Sequence, residues 1–192
     1  KLSPEESAQF AERVLRRVAG RIPVIVGVSA PGMTVMKSLT DKVMQMGAAG
    51  VMVAPNAGLK TDEAIIALAR KGGVMGVTGV RNFVRDREPT NVGHIVDHID
   101  HIVRLAGIEH VGIGSDADLN GYDDMKPDQY KALRGGYKES YAFREKLDTD
   151  GFDTPERIYV LVDELFARGY TKENIKLILG ENFFSLLKKI WK

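Results

Sequence analysis

The sequence predicts an α/β fold: a four-stranded parallel sheet followed by a helical third. Two observations carry this. Four short runs, Val24–Val28, Val51–Val53, Val74–Val77 and Val111–Ile113, are continuously apolar, as strands covered on both faces are, and lack the alternation of a strand with one wet side. Helical patterns separate them, each ending in glycine (Gly47, Gly72-Gly73, Gly107), so the strands follow one another through right-handed crossovers.

The elements follow in order. Ser3-Pro4-Glu5-Glu6 opens a first helix with a capping serine, proline at the first helical position and acids against the positive end of the dipole; the helix runs to about Ala19. Strand Pro23–Val28 comes next. Helix Thr34–Met46 leads to strand Gly50–Val53, helix Thr61–Arg70 to strand Val74–Val77, and helix Asn91–Ala106 to strand His110–Gly114. Beyond Asp118 a polar loop, Asn120–Lys126, precedes helices at Pro127–Leu147, Pro155–Arg168, Lys172–Leu179 and Glu181–Ile190. No linker interrupts the chain, so the 192 residues read as one domain.

Composition narrows the function classes. With 27 Lys and Arg against 26 Asp and Glu, the net charge of +1 supplies no field to draw nucleic acid or an anionic membrane. The absence of cysteine removes thiolate nucleophiles, disulfides and the commonest structural zinc sites. Neither a signal peptide nor a membrane span is evident, which leads to the expectation of a cytoplasmic protein; the start at Lys1 suggests an excised piece.

The most informative motif is Gly112-Ile113-Gly114-Ser115-Asp116-Ala117-Asp118. A strand ending in small residues and then two acids presents carboxylates at the mouth of an α/β sheet, where catalysis is usually housed. Asp116 is therefore the catalytic candidate, weighed against the plainer reading that Asp116 and Asp118 cap a turn. Asp118, Asn56, Thr78, Arg81 and Ser29 stand at strand ends as candidate binding residues. The loop Gly76-Val77-Thr78-Gly79-Val80-Arg81-Asn82 suits a small anion held by Arg81, although it matches no phosphate-loop fingerprint. His94, His98 and His101, spaced by four and three on one helix, are weak metal candidates. A solvated helix flank beside the buried face of Ile95, Val96, Ile99 and Ile102 accounts for them more simply. No histidine accompanies a serine as a nucleophile's base.

Two resemblances emerge from longer segments. Leu2-Ser3-Pro4-Glu5-Glu6, Gly20-Arg21-Ile22-Pro23-Val24-Ile25-Val26-Gly27-Val28 and Met46-Gly47-Ala48-Ala49-Gly50-Val51-Met52-Val53-Ala54-Pro55 resemble the dihydrodipicolinate synthase and N-acetylneuraminate lyase family. Asn56 and Ala57 stand where that family carries an aromatic pair, and the segment of its Schiff-base lysine is missing, so lyase chemistry is not expected. From Thr61 onward the chain resembles the membrane (renal) dipeptidase family of zinc hydrolases. The carriers are Ala67-Leu68-Ala69-Arg70-Lys71-Gly72-Gly73-Val74-Met75-Gly76-Val77, Asp97-His98-Ile99-Asp100-His101-Ile102-Val103, His110-Val111-Gly112-Ile113-Gly114-Ser115-Asp116, and Arg168-Gly169-Tyr170-Thr171-Lys172-Glu173-Asn174-Ile175 with Leu179-Gly180-Glu181-Asn182-Phe183.

The second resemblance implies that Asp116 is the family's active-site aspartate acting on metal-bound water, while the strands that carry the family's zinc ligands are not found here. Without those ligands a carboxylate accepts a proton but generates no hydroxide at neutral pH. Together the resemblances imply half of a (β/α)8 barrel: residues 1–60 a lyase-like quarter, 61–126 a dipeptidase-like quarter, and 127–192 carboxy-terminal helices. The expectation is a recombined or engineered scaffold with no intact catalytic site and no cofactor, completed to eight strands by a homodimer. The alternatives are a zinc-dependent hydrolase related to the dipeptidases and a small-anion-binding module.

Overall fold

The computed structural model describes residues 2–54, 61–119, 122, 125–137 and 144–191. The chain divides into two compact units, Lys1–Ala67 with Phe184–Lys192, and Leu68–Phe183. The expected α/β character is present. It is rich in helix, and its strands, three residues each, are shorter than the expected Pro23–Val28, Gly50–Val53, Val74–Val77 and His110–Gly114.

In the first unit, α1 (Pro4–Val18) opens on a full capping box: Ser3 Oγ accepts the Glu6 N–H at 3.1 Å and Glu6 Oε2 accepts the Ser3 N–H at 2.7 Å. β1 (Ile25–Gly27) then pairs in parallel with β2 (Gly50–Met52), Val26 opposite Val51, with α2 (Met33–Gln45) between them. Val28, Leu39, Val43, Ala8, Ala11 and Ala48 form the core, and Val26, Val51 and Val53 pack against it. The intervening strand residues do not join them. Ile25 is 37% and Met52 66% exposed, and on that side a Cβ at Gly50 would meet Ile190 at 3.3 Å, so the second face of the pair is covered only in part, whereas the apolar runs had suggested cover on both.

The second unit contains β3 (Met75–Val77) and β4 (Val111–Ile113), again parallel, with Gly76 opposite Gly112. α3 (Asp62–Arg70) precedes β3. Among the described residues the strands make two sheets of two, β1-β2 and β3-β4, in place of one continuous four-stranded sheet. α4 (Arg81–Val84), a single turn, and α5 (Val92–Ala106) connect β3 to β4. Ile95, Val96, Ile99 and Ile102 of α5 are buried as the periodicity requires, each fully buried side chain contributing about 1.5–3 kcal/mol.

α6 (Pro127–Gly135), α7 (Ile158–Ala167), α8 (Lys172–Lys176) and α9 (Asn182–Ile190) follow. The expected helix over 127–147 stops at Gly135. Residues 147–150 instead run extended, with isolated bridges from Asp148 to Val80 and from Asp150 to Asn91, before a turn at Gly151 (φ 79), and Leu147, Thr149 and Phe152 are buried. Gly135-Gly136 ends the helix, and Asp148-Thr149-Asp150-Gly151, a run poor in helix propensity, favours the extended segment and its turn. A π turn, Leu177–Glu181, links α8 to α9 and delivers Asn182 to the start of β4, where its amide donates to the carbonyls of Ile108 (2.7 Å) and Val111 (2.8 Å). No helix among the described residues is long and apolar enough to cross a membrane.

Candidate functional site

The carboxy-terminal ends of β3 and β4 lie against each other because glycine stands where they approach. A Cβ on Gly76 would sit 3.3 Å from the Gly114 backbone. The Gly114 N–H donates to the Val77 carbonyl at 3.0 Å, and one step further the Gly79 N–H donates to the Ser115 carbonyl at 2.7 Å. Thr78, on the same edge, accepts the Val80 N–H at 3.3 Å and so turns the chain away from the strand.

Past Ser115 the chain enters the left-handed region at Asp116, φ 54. That conformation costs roughly 1–2 kcal/mol for most residues with a side chain and less for aspartate, which can bond locally. Ser115 Oγ accepts the Ala117 N–H at 3.4 Å across this turn. Asp116 and Asp118 are both exposed, so two carboxylates do stand at the rim of the β3-β4 pair. Further along, the Tyr122 N–H donates to Asp148 Oδ2 at 3.3 Å. Burial, and then the neighbouring Tyr137, Asp118 and Asp148, push the Tyr122 phenol up to about 12.

Arg81 occupies a different environment from the open loop foreseen for an anion. It is 1% exposed. Its Nε donates to the Asp148 carbonyl at 2.7 Å, one terminal nitrogen pairs with Glu88 at 2.6 Å, and the other pairs with Asp150. Arg144 joins the group through Glu88 at 2.8 Å and through the carbonyls of Arg81 and Arg85. The charge that was to attract an anion is thus neutralised by two carboxylates of its own unit, and the anion-binding reading loses its cation.

The three helix histidines also part company. His94 Nδ1 accepts the Asn91 N–H at 3.2 Å and completes the α5 cap, the His98 imidazole reaches the Val84 carbonyl at 2.7 Å, and His101 meets Arg104 at 2.8 Å. No group of three or more His, Asp or Glu among the described residues could hold a metal ion. In the first unit, Ser29 Oγ accepts the Ala54 N–H at 2.7 Å and latches the ends of β1 and β2; Asn56 lies outside the described residues.

Sequence reasoning missed the residues that frame this rim from 147–152. The Thr149 hydroxyl, fully buried, donates to the Gly79 carbonyl at 2.7 Å. The Phe152 ring lies on Gly79 so closely that a Cβ there would be 2.5 Å from it. The available signal was the alternation of Leu147 and Thr149 leading into Asp150-Gly151, a strand-and-turn pattern between the helices expected at Pro127–Leu147 and Pro155–Arg168.

Comparison with known proteins reaches past the rim. The sequence model of the membrane dipeptidase family (peptidase family M19) matches residues 9–131. Dipeptidase ataJ of Aspergillus terreus is 33% identical over 132 residues, 68% of this chain and 26% of that relative. An amidohydrolase of Pseudomonas aeruginosa superposes with a TM-score of 0.65 at 18% identity, over 97% of this chain and 69% of that one. A metallo peptidase of Rhodobacter sphaeroides, solved with a phosphinate mimic of the dipeptide L-Ala-D-Ala, superposes with a TM-score of 0.55 at 19% identity, over 79% of this chain and 39% of that one. The chain spans about a quarter of the length of the curated relatives ataJ and verJ.

These matches correct the expected mosaic. One family accounts for residues 9–131, across the junction at residues 60 and 61 where a lyase-like part was to end. The lyase resemblance rested on short glycine-bounded apolar runs, which any parallel βα unit shares. The recombined or engineered scaffold is therefore overturned. The chain belongs to the membrane dipeptidase family, peptidase family M19.

Proposed function

We propose that this chain serves a metal-dependent, dipeptidase-type hydrolase in which Asp116 is the proton-accepting carboxylate. The observation that carries the reading is the placement of Asp116: exposed, left-handed and at the carboxy-terminal end of β4, within the segment that the family matches. Catalytic groups of parallel βα folds gather at that end of the strands. The substrate class comes from the relatives, whose names and bound mimic specify a dipeptide. Zinc, in place of the expected absence of a cofactor, is supported by the family and by the metallo peptidase among the structural neighbours.

The described residues do not by themselves fit the metal, since no three ligand-type side chains converge. A metal-dependent reaction needs donors beyond those, and the chemistry ascribed to this chain is confined to Asp116. An ionised carboxylate only accepts hydrogen bonds. Open to solvent beside Ser115, it is placed to take a proton from a nucleophile or to bond a substrate ammonium group.

The test is amino-acid release from L-Ala-D-Ala and related dipeptides by the zinc-supplied protein. Release is expected to stop on chelation, and Asp116→Asn is expected to lower kcat by about 100-fold or more, the scale of a lost general base. Absence of metal-dependent release, or an Asp116→Asn protein with full kcat, would overturn the reading.

A further inference from the structure

Asp116 holds a left-handed backbone, φ 54, which aspartate adopts more readily than most residues with a side chain and which here is fixed by what surrounds it. Two ties flank it. On one side the Ser115 carbonyl accepts the Gly79 N–H at 2.7 Å; on the other, the Tyr122 N–H donates to Asp148 Oδ2 at 3.3 Å. Both ties lead to the segment 147–152. Thr149 holds the carbonyl of Gly79, Phe152 covers the same glycine, and buried Arg81 fixes Asp148 and Asp150 from below.

We propose that Thr149 is a positioning residue for Asp116, acting through Gly79 and Ser115. The proposal rests on the reading of Asp116 as the reacting carboxylate. Removing the Thr149 hydroxyl leaves the Gly79 carbonyl buried with its partner gone, and an unpaired buried carbonyl turns toward any donor it can reach. Glycine has no Cβ to resist the rotation. As Gly79 turns, its N–H leaves the Ser115 carbonyl, which keeps only the longer bond from the Thr78 hydroxyl at 3.5 Å, and the turn that aims Asp116 loses its shorter amino-terminal anchor. Without that anchor the carboxylate samples orientations that do not meet the substrate, which lowers kcat and leaves the binding of the rest of the substrate in place.

The experiment compares Thr149→Val, Thr149→Ser and the unsubstituted protein by amide hydrogen exchange and by dipeptide hydrolysis. Thr149→Val is expected to speed exchange at the Gly79 and Ala117 amides about tenfold or more while the α5 amides keep their protection. It should also lower kcat about tenfold with KM unchanged. Thr149→Ser, which restores the hydroxyl, should return both readouts. Unchanged exchange at Gly79 and Ala117, or loss of protection throughout α5, would overturn the proposal, the second outcome showing that Thr149 merely supports the core. If Thr149→Val does not fold, Phe152→Leu frees Gly79 from its other side, and the same two amides decide. Asp116→Asn separates the two failures: full activity in that variant defeats the catalytic reading, whereas its inactivity beside a fully active Thr149→Val defeats the positioning.

Discussion

Two charged residues beyond neighbouring strands meet opposite fates, and the difference is one of solvent. Arg81 is buried, yet its partners Glu88 and Asp150 remain 56% and 48% exposed, so the unit buries a cation while leaving its anions in water. That arrangement avoids much of the desolvation cost of a fully buried pair. Asp116 has the reverse setting, a carboxylate in the open on a backbone held from beneath. Between them, Tyr122 gives a pH signature. Its phenol is pushed from the ordinary 10.0 up to about 12, by burial first and then by Tyr137, Asp118 and Asp148. The folded protein thus keeps a proton that the unfolded chain releases. The resulting stability is complete below about pH 10 and is lost as the pH rises towards 12. Tyr170, raised by burial and by its bond to Asp100, adds to the same alkaline decline. Denaturant unfolding between pH 9 and 12 should show stability falling, with a shallower fall in Tyr122→Phe. Equal slopes in the two proteins would mean that the phenol is not held protonated.

Among the elements, the glycines of β3 and β4 show what the second unit's core demands. The Phe183 ring packs against β4 at Gly112, where an added Cβ would fall 2.6 Å from it, and lies 3.4 Å from the corresponding point at Gly76. Gly27 in β1 has open space at the equivalent position. Gly112→Ala is therefore expected to cost about 1–3 kcal/mol by overpacking, while Gly27→Ala should be neutral or slightly stabilising because glycine loses more backbone freedom on folding than alanine. Melting temperatures of the two variants check this; equal effects would mean that Phe183 yields at no cost. These elements also show what the sequence made legible. The Ser3 box, the glycine-ended helices and the α5 stripe are local signals, written within a few residues of where they act, and each was readable. That an acid, Asp116, follows the buried strand was readable too; its left-handed backbone was not. The tie from Thr149 to Gly79 spans 70 residues, and no local pattern announces a partner that far away. For the same reason Arg81 looked like an anion site: its neighbours in sequence do not include Asp150. The strand runs misled in another way, since apolar character on both faces does not say what covers the second face.

For the whole molecule, that partly covered face sets the last expectation. β1 and β2 turn Val26 and Val51 into the core of the first unit and present Ile25 and Met52 on the opposite side, Met52 at 66% exposure. We propose this short parallel pair, apolar on its outer face, as an association surface, because strands of this kind are ordinarily sandwiched between layers. A second copy of the chain offers the same surface in return, and a twofold contact would bury both at once. Light scattering at micromolar concentration is expected to give a mass near twice the 21.2 kDa of one chain. Met52→Glu should shift it to that of a single chain without loss of helical signal, since the side chain lies outside the core and only the contact between copies would bury the new charge. A monodisperse single chain before any substitution would defeat the expectation and show that two exposed strands this short remain soluble on their own. Dimerisation that survives Met52→Glu would place the contact elsewhere.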